Sequence, residues 1–294
     1  MMRLPPAAFI AIINNMPELP EVETVKNGLA PFLEKGKMMD VWQSGKPMRM
    51  KKMPSDCAGL KQARLHHIER RAKYLLFHFD KDINLLLHLG MSGVCYLSAQ
   101  KIEPMPPHTH LVLWFDNGYQ MQFYDPRRFG WYEIYQRKNP PPQLSRLGVE
   151  PLSNQFHANH LATALQGKQS SIKSVLLDQS IIAGLGNIYV CEALWQAGIS
   201  PQSPANKIGF DQLESLVLAI KQVLQKAIEA GGSTLKDFQQ SDGKPGYFQH
   251  QFNAYGKMGE KCQFMDKQNR SCDGVIQRIR QSGRSSFYCP NHQK

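Results

Sequence analysis

Four residues near the C-terminus, Cys262, Cys272, Cys289 and His292, carry atoms suited to a metal ion. Three thiolates and one imidazole are a legitimate tetrahedral zinc set. Cys289 and His292 stand in a C-x2-H arrangement that puts two donors on one turn, and sixteen residues separate Cys272 from Cys289. Cys262 and Cys272 are spaced more loosely, as C-x9-C. A closed four-ligand site has no open position for chemistry, so this zinc staples a small hairpin that cannot bury a core. Arg270, Arg278, Arg280 and Arg284 give the same segment cations to offer to phosphates. The other three cysteines, Cys57, Cys95 and Cys191, lie scattered in apolar surroundings and read as inert buried thiols.

Three further stretches could touch a polyanion. "DPRRFG" (Asp125 to Gly130) sets two arginines beside an aromatic on a turn between strands. Such a group can contact phosphates or base edges and wedge between bases. A β-turn with solvated arginines and a core Phe is the plainer reading of the same residues. "AGLGNIY" frames Asn187 between helical stretches, and amides at a helix N-terminus bind phosphate. A glycine-containing connection between helices accounts for it equally well. Lys73 in "RRAKYLL" opens a strand, and Lys236 sits in a Gly-rich loop; alone, both are ordinary solvated lysines. His88, His108 and His110 lie near strand ends, where structural histidines are common.

These groups need elements to hold them. "PEVETVKNGLAPFL" predicts a helix, with Pro20 at its first position and Glu21 and Glu23 in the first turn, where the dipole favours them. Val22, Val25, Leu29 and Leu33 repeat at helical spacing. Residues 37 to 137 predict strands: "AKYLLFHF", "INLLLHL", "THLVLWF", "YQMQFY" and "FGWYEIY", with "DNG" as a hairpin signal. That spacing predicts a sandwich or barrel. "RKNPPPQ" predicts a linker, and helices follow, the clearest within "DQLESLVLAIKQVLQKAIEAGG", stopped by Gly231. "GGSTLKDFQQSDGKPGYFQ" is too long for a simple turn.

The bulk composition agrees with a globular nucleic-acid partner. A length of 294 residues fits about two domains. The net charge of +11 attracts polyanions, of which nucleic acid is the commonest. No apolar run approaches the roughly 20 residues of a membrane helix. "MMRLPPAAFIAIINN" is short, interrupted by prolines and ends in Asn-Asn, so no export signal is expected and the protein is placed in the cytoplasm.

In combination and order, "MPELPEVETV", "RRAKYLL", "HLGMSG", "DPRRFG", "GLGNIY", "STLKDFQQSDGKPGYF" and the "FYC" near the terminus resemble bacterial formamidopyrimidine-DNA glycosylase (the Fpg/MutM family) over residues 16 to 294. The resemblance implies an α+β chain that works as a monomer on damaged double-stranded DNA and does not engage a membrane. It implies residues 1–15 as an extension absent from the active protein, 16–138 as a β-sandwich catalytic domain with a leading helix, and 139–152 as a linker. Residues 153–250 would be a helical domain with a helix–two-turn–helix element, and 251–294 a zinc finger with one structural zinc, the DNA lying between the domains.

The resemblance also gives the "MP" inside the N-terminal region a meaning. Family members use the amine of an N-terminal proline as nucleophile. An α-amine titrates near ~8 and a lysine amine near ~10.4, so the former is more often unprotonated at neutral pH. Synthesis from Met16 and loss of that methionine would expose Pro17; Glu18 would shuttle protons and Lys73 would contact phosphate and assist elimination. Glu21 would help hold the active site, or simply cap the helix. Met91, Arg127 and Phe129 match residues that fill the gap left by a flipped lesion, Arg127 facing the orphaned cytosine. Arg128, Asn187 and Arg284 match phosphate contacts, with His88 and His108 adding others. Lys236 and Tyr255 fall in segments that fold over the flipped base. The implied reaction is removal of oxidised purines, 8-oxoguanine and formamidopyrimidines, followed by strand cleavage through β,δ-elimination.

Two departures from the family pattern stand out. Pro17 is an amide within the numbered chain, and the finger replaces a four-cysteine C-x2-C arrangement by an insertion after Cys262 and by His292. An endonuclease VIII-like glycosylase for oxidised pyrimidines is the near alternative; that relative carries a Gly after its "MPE", where this chain has Leu19 and also keeps the long "STLKDFQQSDGKPGYF" loop. A non-catalytic, zinc-stapled DNA-binding protein is the reading if residues 1–15 stay attached.

Overall fold

The structure is a computed structural model and describes residues 17–49, 55–99, 101–233, 248–266 and 268–294. Helix α1 runs Leu19–Leu33. Eight strands follow: β1 Met38–Gln43, β2 Leu65–Arg71, β3 Tyr74–Phe79, β4 Ile83–His88, β5 Val94–Ser98, β6 Thr109–Phe115, β7 Gln120–Tyr124 and β8 Trp131–Gln136. They form two four-stranded antiparallel sheets, ordered β1-β6-β7-β5 and β2-β3-β4-β8. The five strands expected from β-rich runs are present. β1, β2 and β5 are additional, their sequences being more polar or shorter than the run that betrays a strand.

The inward residues of both sheets, among them Leu75, Phe77, Leu85, Leu87, Leu111, Leu113, Met121 and Phe123, pack into one buried core. Val22, Val25, Leu29 and Leu33 of α1 enter that same core, which fixes the helix and therefore the residues at its start. Truncating a fully buried leucine such as Leu29 to Ala costs about 2–5 kcal/mol in such a setting.

The short α2 (Pro142–Ser145) ends the first of the two stretches that make up the sandwich unit. The second unit contains α3 Ala158–Leu165, α4 Ile172–Leu176, α5 Asn187–Gln196 and α6 Phe210–Glu229, and then the hairpin β9 Gln277–Gln281 and β10 Arg284–Tyr288. The described residues 230–233 and 248–249 group with the sandwich, not with α6 before them. In α6, Leu213, Leu216, Ile220, Val223 and Leu224 are buried as their spacing predicts, and Gly231 follows the helix with φ 76°, a value costly for a side-chain-bearing residue. Among the described residues, no helix is long and apolar enough to cross a membrane.

Candidate active site and nucleic-acid interface

The first turn of α1 is built around carboxylates. Pro17 and Glu18 are buried, Glu18 only 4% exposed. Glu18 is the extended residue that precedes the helix, so Leu19 takes the first helical position and Pro20 the second, one later than its sequence suggested. Glu21 does more than cap. Its Oε2 accepts the Glu18 backbone N–H at 3.0 Å, while its Oε1 accepts both the backbone N–H and the hydroxyl of Ser233 at 2.8 Å. One carboxylate therefore fixes the backbone beside Pro17 and anchors the chain after α6. Gly232 makes the approach possible: its φ is +83°, and an added Cβ would lie 3.3 Å from the Glu21 carboxylate. Nothing in the sequence pairs Glu21 with a residue more than two hundred positions away.

The β2–β3 turn presents Lys73. Arg70 ties it down, donating to Glu23 of α1 at 2.6 Å and to the Ala72 carbonyl at 3.1 Å. Ala72 has φ 52°, the left-handed geometry of a tight hairpin turn. His88 pairs with Tyr74 across β3 and β4, and the two rings lie 5.0 Å apart. His88 Nδ1 accepts the Gly90 N–H at 3.0 Å. Burial first, then the nearby cations Arg49 and Lys73, pull its pKa down to about 3. His88 is thus neutral and can offer a phosphate an N–H but no charge.

Met91, Arg127 and Phe129 are brought together by two interlocked loops. Gly90 lies so close to the other loop that a Cβ would sit 2.3 Å from Gly130 N, and its φ is +69°. Asp125 is fully buried between them. One of its carboxylate oxygens accepts the Ser92 hydroxyl and the other the Gly130 N–H, the latter at 2.7 Å; its carbonyl accepts from His110 Nε2 at 3.0 Å. His108 joins the same knot: its carbonyl accepts the Asp125 N–H at 2.9 Å, and its ring sits edge-on to Tyr124. Arg127, Arg128 and Phe129 are left exposed, the Arg127 guanidinium 4.7 Å from the Phe129 ring centre. An exposed aromatic with a cation stacked on it, on a rigid base, suits insertion between bases. The sequence shows Asp125 only as the first residue of a turn motif; in the fold it is the pin that joins the two loops. Asp125→Ala strands the buried Gly130 N–H and the half-buried Ser92 hydroxyl, so we expect a loss of about 2–4 kcal/mol. Calorimetry should show a lower Tm, with the Met91 and Phe129 loops losing amide-exchange protection before the core.

In the second unit, the Asn187 side chain begins α5 and donates to the Ser285 carbonyl at 3.0 Å. Lys173, only 1% exposed, donates to the same carbonyl at 2.8 Å and to the Ser286 hydroxyl at 2.6 Å. Both hold β10 next to Arg284, so the side chain of Asn187 is engaged in positioning the hairpin. Arg284 is exposed and follows the turn residues Ser282 (φ 48°) and Gly283 (φ 77°), a two-residue turn with both φ values positive. Tyr255 is anchored: its N–H donates to Glu192 at 2.7 Å, and its ring packs on Phe287 at 5.1 Å. Glu192 also accepts the N–H groups of Asn253 and Ala254; burial raises its pKa against the opposing pull of these bonds. Arg270 is occupied by Asp266 at 2.6 Å, leaving Arg278, Arg280 and Arg284 as the cations on the hairpin strands themselves. Lys236 lies outside the described residues.

The metal-ligand set is assembled. One donor atom from each of Cys262, Cys272, Cys289 and His292 lies within 4.8 Å of the others. Cys272 and Cys289 sulfurs are 3.7 Å apart, and Cys262 Sγ is 3.3 Å from His292 Nδ1. Zinc–sulfur bonds of about 2.3 Å at tetrahedral angles place two sulfurs about 3.8 Å apart. His292 Nε2 donates to the Trp195 carbonyl at 2.9 Å, which turns the Nδ1 lone pair toward the cluster. At Gly274 a Cβ would sit 2.4 Å from Cys289 Sγ, so only glycine lets the chain pass. The residues present therefore fit zinc.

Comparison with known proteins agrees with this geometry. The formamidopyrimidine-DNA glycosylase N-terminal domain matches residues 16–132, and the H2TH domain of the same enzymes matches residues 147–239. Formamidopyrimidine-DNA glycosylase of Ruegeria pomeroyi is 47% identical over 95% of this chain and 100% of its own length. The Phenylobacterium zucineum protein of the same name is 45% identical over the same shares. Among solved structures, Lactococcus lactis Fpg in complex with DNA containing an abasic site superposes with a TM-score of 0.82 at 33% identity, covering 95% of this chain and 100% of that one. MutM (Fpg) from Thermus thermophilus gives 0.80 at 36% identity, covering 94% and 98%. With both domains matched in order and the sandwich, helices and Cys–His cluster in place, the chain belongs to the formamidopyrimidine-DNA glycosylase family, DNA-repair glycosylases of damaged bases.

Proposed function

We propose that this protein is a bifunctional glycosylase and AP lyase that removes oxidised purines, 8-oxoguanine and formamidopyrimidines, from double-stranded DNA. The observation that carries the reading is the buried start of α1, where Glu18 and the backbone beside Pro17 are locked by Glu21. The N-terminal family domain begins at Met16, which supports a mature protein starting at Pro17. The freed secondary amine attacks C1′ of the damaged nucleotide, and the base leaves with a proton supplied through Glu18. The proton lost by the amine passes through Glu18 to O4′ as the C1′–O4′ bond breaks, and the opened sugar is held as an iminium, a permanent cation that draws electrons from it. Loss of a C2′ proton then expels the 3′ phosphate, and a second elimination expels the 5′ phosphate. Lys73 steadies the phosphate during these steps. Hydrolysis of the imine returns the amine.

DNA contacts divide by chemistry. Arg127 reads the base opposite the lesion, with Met91 and Phe129 filling the gap. Arg128, Asn187 and Arg284 hold phosphates, assisted by the N–H of His88 and by His108. Lys236 and Tyr255 belong to the segments on the lesion side, Tyr255 through its anchored ring. The enzyme acts as a monomer, with residues 16–138 catalytic, 139–152 a linker, 153–250 helical and 251–294 a finger. Cys262, Cys272, Cys289 and His292 would hold a structural zinc, which supplies a folding clamp and no reacting group.

Strand nicking of duplexes bearing 8-oxoguanine opposite cytosine tests the activity: the products should end in phosphate on both sides of the gap. A protein active only on oxidised pyrimidines would overturn the substrate assignment. Binding should lose on the order of tenfold or more between low and moderate salt. Arg128→Ala should weaken binding to any duplex, whereas Arg127→Ala should blur discrimination of the opposite base. Indistinguishable phenotypes in electrophoretic shift assays would contradict this division.

A further inference from the structure

The β2–β3 hairpin carries a second group of ligand side chains, on the face of its sheet away from the core. Leu65 and Ile68 are buried in the core, while His67 and Glu69 face outward, and a bulge between Leu65 and His67 produces this offset. His78 of β3 stands directly across from His67. The two imidazoles stack with centroids 4.3 Å apart and planes 15° from parallel. His78 Nε2 is 3.0 Å from Glu69 Oε2. One donor atom of each of the three residues lies within 4.8 Å of the other two.

An ion pair explains His78 and Glu69 but not His67. His67 stacks on His78 instead, and a ring stacked by its face still points its nitrogen lone pair outward in the ring plane. A neutral ring keeps a lone pair for a metal. Glu69 sets a carboxylate oxygen beside the His78 ring nitrogen, so the group offers one oxygen donor with two nitrogens. Glu34, whose carboxylate accepts the Ile68 N–H at 2.8 Å, adds negative potential; Arg137 opposes it. Two imidazoles and one carboxylate suit a borderline divalent ion such as zinc, nickel, cobalt or copper, whereas magnesium and calcium prefer oxygen throughout.

We propose that His67, Glu69 and His78 form a surface site for a divalent transition-metal ion, independent of the Cys–His cluster, with its remaining positions open to water. Bound there, the ion clamps β2 to β3 and stiffens the hairpin whose tip presents Lys73.

Calorimetric titration of the full-length, zinc-containing protein with Ni2+ tests this, with zinc release followed in parallel. The expected result is one saturable Ni2+ per chain without zinc loss, and a Tm rise of roughly a few degrees at large excess over Kd. Replacing outer-shell partners of metal ligands costs 10–100-fold in affinity, so removing direct donors should weaken Ni2+ binding by at least about tenfold. That is expected for the His67→Asn/His78→Asn double variant and also for Glu69→Gln, which alters shape less. Their metal-free melting temperatures report whether they fold. Wild-type Ni2+ affinity in a folded variant would overturn the site, as would Ni2+ uptake matched by equal release of zinc.

Discussion

Protein beginning at Pro17 should form a borohydride-trappable adduct with DNA carrying 8-oxoguanine opposite cytosine, and protein retaining Met1 to Met16 should form none. The reason lies in one nitrogen. An amide nitrogen has no basic lone pair, while an α-amine titrates near ~8 and is partly free at neutral pH. Losing the nucleophile altogether should cost on the order of 10³-fold or more in turnover. Glu18→Gln should separate the steps: DNA binding persists, and base release falls by about 10²–10⁴-fold because the proton relay is gone. The substitution keeps the side-chain size of a residue that is 4% exposed, so packing changes should not obscure the result. Equal trapping by both N-terminal forms would remove Pro17 from the mechanism, and normal turnover by Glu18→Gln would remove Glu18. Mass spectrometry of the N-terminus of the native protein shows which form exists.

What the sequence revealed and what it hid follow from the range of each interaction. The period of Leu29 and Leu33, and the β-rich apolar run "THLVLWF", are local, so α1 and β6 were legible. β2 was not: its "LHHIERR" is polar, and the bulge after Leu65 breaks the alternation that would mark it. The Cys–His cluster was legible because ligand chemistry restricts residue types, even with a loose C-x9-C half. Glu21 shows the limit. Its place in the first turn suggested a cap, yet its Oε1 is bonded to Ser233, a partner set only by the fold. The same holds for Lys173 and Glu192, buried polar residues whose partners are backbone groups far along the chain, and for Asp125, whose carboxylate joins the nearby Gly130 N–H to the Ser92 hydroxyl of another loop. A motif tells which side chains face the substrate; the buried polar groups that hold them become visible only in three dimensions.

Chelation of the finger metal should abolish tight DNA binding while the sandwich stays folded. The segment from about residue 255 has a small core, in which Cys262, Ile276 and Cys289 meet Trp195 and Ala254, with Phe264 and Phe287 packed against them. Cys272 packs there as well, so three of these eight side chains are themselves ligands, and losing the metal also loosens the packing. Thiolate sites bind zinc strongly enough to fold segments of this kind, with apparent energies of about 10–16 kcal/mol in zinc-finger peptides. Without that energy β9 and β10 should open and Arg284 lose its position, lowering DNA affinity by roughly tenfold or more. The core that holds α1 contains none of the four ligands, so thermal unfolding should still show a cooperative transition for the sandwich. Amide exchange should rise first over residues 255–294. His292→Cys should keep the metal, since a thiolate fits the same position, while His292→Ala should weaken it and free the Trp195 carbonyl. Freshly purified protein that contains no zinc yet binds damaged DNA tightly would show that the altered spacing has abandoned the site, and that Arg284 is held by Lys173 and Asn187 alone.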